Sequence, residues 1–71
     1  MRIRFAHAEK GPSMVIDDDR RAQALLLELC GGGWTEDQTA RTMELWAQIR
    51  RGRPITVICR NRKINIARED V

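Results

Sequence analysis

Arginine, lysine and asparagine crowd the last third of the chain at spacings that suit contact with phosphates and bases. Thr56, Arg60, Lys63 and Asn65 fall on alternate positions of two short segments. Arg62 lies between the segments, and Arg50, Arg51 and Arg53 precede them. A guanidinium grips phosphate through a planar fork, and Arg and Asn are the side chains that pair bidentately with guanine and adenine. Residues 48–71 hold seven basic side chains against Glu69 and Asp70, a net +5. Residues 17–47 hold three arginines against seven acids, a net −4, and residues 1–16 carry +2. Such a segregation marks either a basic binding surface or a solvated strand face that resists edge-to-edge pairing.

The remaining polar groups suggest less chemistry. His7, the single histidine, has no Ser, Cys or ligand partner at motif spacing and reads as a strand-end residue. Cys30 and Cys59 do not by themselves close a zinc site and read as small hydrophobes on core faces. Asp17-Asp18-Asp19 lacks the further oxygen ligands of a calcium loop and fits a helix start, where carboxylates accept unpaired backbone N–H groups. Gly31-Gly32-Gly33-Trp34-Thr35 precedes a helix, as anion-binding loops do. No Lys-Ser/Thr follows it, however, and Glu36-Asp37 would repel phosphate. It reads as an inter-helix loop with Trp34 as a packing anchor. Thr35 to Gln38, which would lead a recognition helix, include those two acids, so a helix-turn-helix reading is set aside. No catalytic residue, metal site or cofactor is assigned, and the chain reads as a non-enzyme.

The elements that must position these residues follow from periodicity. Ile3 and Phe5 alternate with Arg2, Arg4 and Ala6, a half-buried strand. Residues 8–12 read as a turn around Gly11-Pro12, and Met14-Val15-Ile16 as a second strand. A first helix over 18–30 carries Ala22, Leu25, Leu26, Leu29 and Cys30 on one stripe, with Leu27 off it, and Gly31 stops it. A second helix begins at Thr35, whose capping box includes Gln38, and runs to about Arg51 before Gly52. Its apolar positions form two groups, Ala40, Met43, Trp46 and Ala47, and Leu45 with Ile49. That arc is wide enough to pack on the first helix or on another subunit as well as on the sheet.

Residues 55–60 and 63–68 read as a hairpin around Asn61-Arg62, with residue 57 opposite 66 and residue 60 opposite 63, or as one with a four-residue loop and the same flanking pair. This register puts Ile55, Val57, Cys59, Ile64 and Ile66 on one face. Thr56, Ile58, Arg60, Lys63, Asn65 and Ala67 lie on the other. The whole is an α+β chain in the order β-β-α-α-β-β, an antiparallel sheet of about four strands with two helices on one face.

The 71 residues allow one domain, 1–71, and 42% hydrophobic with 32% charged residues is a globular composition. A core this small gains most from a second subunit, and Leu27, Trp34 and Ile58 fall off the core stripes. They form a candidate apolar interface for a homodimer or a partner. Two isolated cysteines and a strand that begins at once read as a reducing, cytoplasmic setting. No apolar run approaches the ~18 residues of a membrane helix.

Two functions are expected from these features. The first is a small non-catalytic nucleic-acid-binding or regulatory protein that uses the basic C-terminal hairpin. The second, suggested by the size, the lack of catalytic residues and the apolar positions off the core stripes, is an inhibitor or adaptor of the phage or mobile-element type that docks its basic face, or the Ile58 and Trp34 region, on an acidic or apolar surface of a host protein and blocks it.

Overall fold

A computed structural model describes residues 1–9, 11 and 13–70. The chain runs β1 (Ile3–His7), β2 (Ser13–Ile16), α1 (Asp19–Leu29), α2 (Glu36–Arg50), β3 (Ile55–Cys59) and β4 (Arg62–Arg68). The strands form one antiparallel sheet in the order β2-β1-β4-β3, and both helices pack on the same face of it. The turn expected over residues 8–12 includes Lys10 and Pro12, which lie outside the described residues.

Both helices start and stop where local chemistry dictates. Asp18 caps α1, its side chain accepting the Arg20 amide at 2.9 Å. At the other end Gly31 adopts φ 115°, donates to Glu28 O, and lets Gly32 donate back to Leu27 O at 2.8 Å. This pair of bonds satisfies two end carbonyls, and only glycine enters that backbone region freely. The capping box of α2 is complete: Thr35 Oγ1 accepts from the Gln38 amide, and Gln38 Oε1 accepts from the amides of Thr35 and Trp34. Gly52, at φ 83°, closes α2 with the same two-bond pattern, to Ile49 O and, through Arg53, to Gln48 O.

The core lies between helices and sheet. Ile3, Leu26, Ile49 and Ile66 are fully enclosed, with Phe5, Ala22, Trp46, Ile55 and Val57 around them. Thr42 is the buried polar residue of α2, and its hydroxyl donates to Gln38 O at 2.8 Å, so no polar atom is stranded there. Helix α2 does pack on α1 as well as on β3 and β4. Its inward stripe is Thr42, Leu45, Trp46 and Ile49, however, while Ala40, Met43 and Ala47 face solvent, Met43 at 69% exposure. The wide apolar arc is therefore only partly used, because two helices leave the outer side of α2 without a neighbour.

The hairpin register differs from the expected one by two residues. Cys59 stands opposite Arg62 and Val57 opposite Ile64, so the turn is Arg60-Asn61, with φ 52° and 64°. Two positive φ values match the twist of the flanking strands in a two-residue turn. The observed register sets Ile55 against Ile66 and lets Thr56 donate to Asn65 Oδ1 at 2.8 Å. Ile66 is thereby held between Ile55 and Phe5. The expected register would have set Arg68 against Ile55. A shift of two preserves the side-chain period, so the assignment of the apolar face stands unchanged.

Candidate nucleic-acid interface

Strand β4, central in the sheet and paired to both β1 and β3, carries three of the candidate residues, Arg62, Lys63 and Asn65. Asn65 and Lys63 point to the face without helices, Asn65 opposite Thr56 and Lys63 opposite Ile58. Asn65 is already tied to Thr56 through its carbonyl oxygen, which leaves its NH₂ as the free donor. Arg62 is the first residue of β4, beside the turn rather than within it. It shares the side of Ile64 and Ile66 and lines a cleft of 940 Å³ beside the end of α1, together with His7, Glu28 and Arg60. Arg60 belongs to the turn and not to a strand face. The tip thus projects Lys63 on one side of the sheet and Arg62 on the other, because residues one apart on a strand point oppositely.

Arg50, Arg51 and Arg53 gather at the opposite end of β3, where α2 stops. The five residues of β3 separate the two groups by about 13 Å at the strand ends. All six cations are exposed. Among the described residues none of the six has a carboxylate within 4.0 Å.

The corner beside the chain ends is built differently. Arg2 pairs with Asp17 at 3.2 Å, Arg4 with Glu69, and Arg68 with Asp70 at 2.7 Å. Arg68 also donates to Arg50 O, an end carbonyl of α2, at 2.8 Å. The hydrogen bond from Arg4 holds the Glu69 carboxyl below the usual carboxylate range, and Arg68 does the same for Asp70. In return Glu69 raises the Arg4 guanidinium. Arg4 further donates to Ser13 Oγ across β1 and β2. These arginines were not candidates in the sequence, and the acids at residues 17, 69 and 70 that claim them are the reason they stay outside the site.

The apolar candidates divide. Ile58 is 68% exposed on the face without helices, as its strand position implies. Leu27 is half-buried, its methyl carbons against Gly33. Trp34 is 88% exposed and anchors nothing. The Gln38 side chain holds the Trp34 amide, and three successive glycines at positive φ turn the loop so that the indole lies outward over Gly32. The amides of Gly31 and Gly32 are taken by the end of α1, so they are not free to bind an anion.

Cys30 and Cys59 are free and half-buried rather than enclosed. No group of three His, Cys, Asp or Glu side chains comes together among the described residues, and no helix among them is long and apolar enough to cross a membrane. The chain matches no protein-family model, and no significant match is found among curated proteins or solved structures.

Proposed function

We propose that this chain is a small non-catalytic nucleic-acid-binding protein that contacts backbone phosphates through two clusters, Arg60, Arg62 and Lys63 at the hairpin tip and Arg50, Arg51 and Arg53 at its base. The observation that carries this reading is the gathering of six exposed cations at the two ends of β3 with no carboxylate partner among the described residues, in a molecule that pairs Arg2, Arg4 and Arg68. An exposed cation with no carboxylate partner is available to neutralise a phosphate, and the release of the cations condensed around the nucleic acid then drives binding. The role of Asn65 is a base-edge or sugar contact from its free NH₂, secondary to the phosphates.

Fluorescence anisotropy of labelled duplex DNA, single-stranded DNA and hairpin RNA at several salt concentrations tests the proposal. Binding of at least one probe with a log–log salt slope of about −3 or steeper is expected, since three or more phosphates are engaged. Absence of binding to all three at low salt would reject it.

A further inference from the structure

The sheet ends at β3, which is bonded to β4 on one side only. Its five residues, Ile55-Thr56-Val57-Ile58-Cys59, include no charge and no glycine, and their register with β4 is continuous. A two-residue turn makes Cys59–Arg62 a hydrogen-bonded pair, and such pairs alternate along the ladder. The N–H and C=O groups of Thr56 and Ile58 therefore face outward, and neither residue makes a backbone hydrogen bond elsewhere among the described residues. On the helix side a pit of 110 Å³ opens beside the strand, bounded by Leu29, Cys30, Arg41, Val57 and Ile58. An edge of this kind is a template for one more strand.

The charges around the edge select the occupant. Arg53 precedes the strand, Arg60 follows it, and Arg41 rims the pit. Among the described residues none of these three has a carboxylate within 4.0 Å. A second copy fits poorly. Antiparallel pairing about Val57 brings Arg53 of one copy to Asn61 of the other, next to Arg60, and parallel pairing sets each arginine beside its own twin. Nucleic acid, in turn, offers no peptide groups to extend the ladder.

We infer that β3 is a docking edge for an extended segment of another protein, apolar or uncharged over about five residues and flanked by Asp or Glu. Main-chain bonds to Thr56 and Ile58 hold the segment, an aliphatic side chain enters the pit beneath Arg41, and the flanking carboxylates meet Arg53 and Arg60. The inference stands independently of nucleic-acid binding, and its test contains no nucleic acid.

The probe is a fluorescein-labelled peptide, Glu-Glu-Val-Thr-Val-Thr-Val-Glu-Glu, titrated with the whole chain and followed by anisotropy. Saturable binding is expected, weaker by roughly tenfold or more when lysines replace the glutamates, because like charges then face Arg53 and Arg60. Thr56→Pro should abolish it, since proline removes an outward N–H and leaves the ladder to β4 intact. Circular dichroism reports whether that variant folds. If it does not, Arg53→Glu combined with Arg60→Asp carries the test and should prefer the lysine-flanked peptide. Three results would overturn the inference: no saturable binding, equal affinity for the two peptides, or a dimer in sedimentation equilibrium that Thr56→Pro dissociates, since the edge would then belong to a second copy.

Discussion

At the corner where β1 and β4 approach the chain ends, Arg2 faces Asp17, Arg4 faces Glu69 and Arg68 faces Asp70. At the two ends of β3, Arg50, Arg51, Arg53, Arg60, Arg62 and Lys63 face solvent with no such partner among the described residues. The residue type is nearly the same in both regions. The difference lies in whether the fold supplies a carboxylate. Where it does, as at Glu69 and Asp70, the guanidinium ties β4 to β1 and, through Arg68, to the end of α2. Where it does not, the cation remains available to an outside anion. Net charge alone misses this division, because the +5 of residues 48–71 counts Arg68 together with the acids beside it.

The largest effect that could break the comparison is on nucleic-acid affinity. Replacing Arg60 and Lys63 together by Glu should abolish binding at moderate salt while the far-ultraviolet circular dichroism stays native. Arg50→Ala, Arg51→Ala and Arg53→Ala combined should flatten the salt slope by about 3. Arg2→Ala with Arg4→Ala should leave the slope unchanged. If the corner variant weakens binding as much as the tip variant, the distinction between paired and free arginines has no functional meaning.

A smaller effect separates charge from backbone at a single residue. Arg60 sits at φ 52°, where a side chain costs on the order of 1–3 kcal/mol. Arg60→Gly should therefore raise thermal stability by about 1 kcal/mol, a shift of ~4–8 °C for a chain of this size. The same change should flatten the salt slope by about 1. Calorimetry and anisotropy on one sample check both. A variant that is stabilised without loss of binding would remove Arg60 from the site.

The smallest effect concerns pH. Glu69 and Asp70 titrate below the usual carboxylate range in the folded chain because Arg4 and Arg68 bond to them. A depressed folded pKa contributes stability above the ordinary carboxylate value and loses it as pH falls through the folded value. Thermal midpoints should thus decline below about pH 4. Glu69→Gln should make that decline shallower, and the tip variant should follow the parent curve. An identical acid profile for parent and Glu69→Gln would show that the corner pair contributes nothing measurable.

Local chemistry made most of the architecture legible. Asp18, the Thr35–Gln38 box, Gly31 and Gly52 mark helix ends through bonds that span at most five residues. The alternation of Ile55, Val57, Ile64 and Ile66 identifies the buried face of the hairpin, and it survives an even register shift because the side-chain period is two. The position of the turn was not legible. Asn61 and its neighbours accept either placement locally, and the choice came from Ile66 being held between Ile55 and Phe5 on two different strands. The exposure of Trp34 and Met43 was likewise hidden, since an apolar residue reads as core until the neighbour it lacks is known.

The sequence by itself determined where helices begin and end, which strand faces are apolar, and that cations concentrate in the last third. These depend on neighbours a few residues apart and on fixed periods. Only the tertiary structure decided that β4 lies between β1 and β3, that Arg4 meets Glu69 across 65 positions, and that Arg50, Arg51 and Arg53 stand at one end of the edge strand β3 and Arg60, Arg62 and Lys63 at the other. Such pairings depend on which distant segments the shared core brings together, and no local propensity encodes that choice.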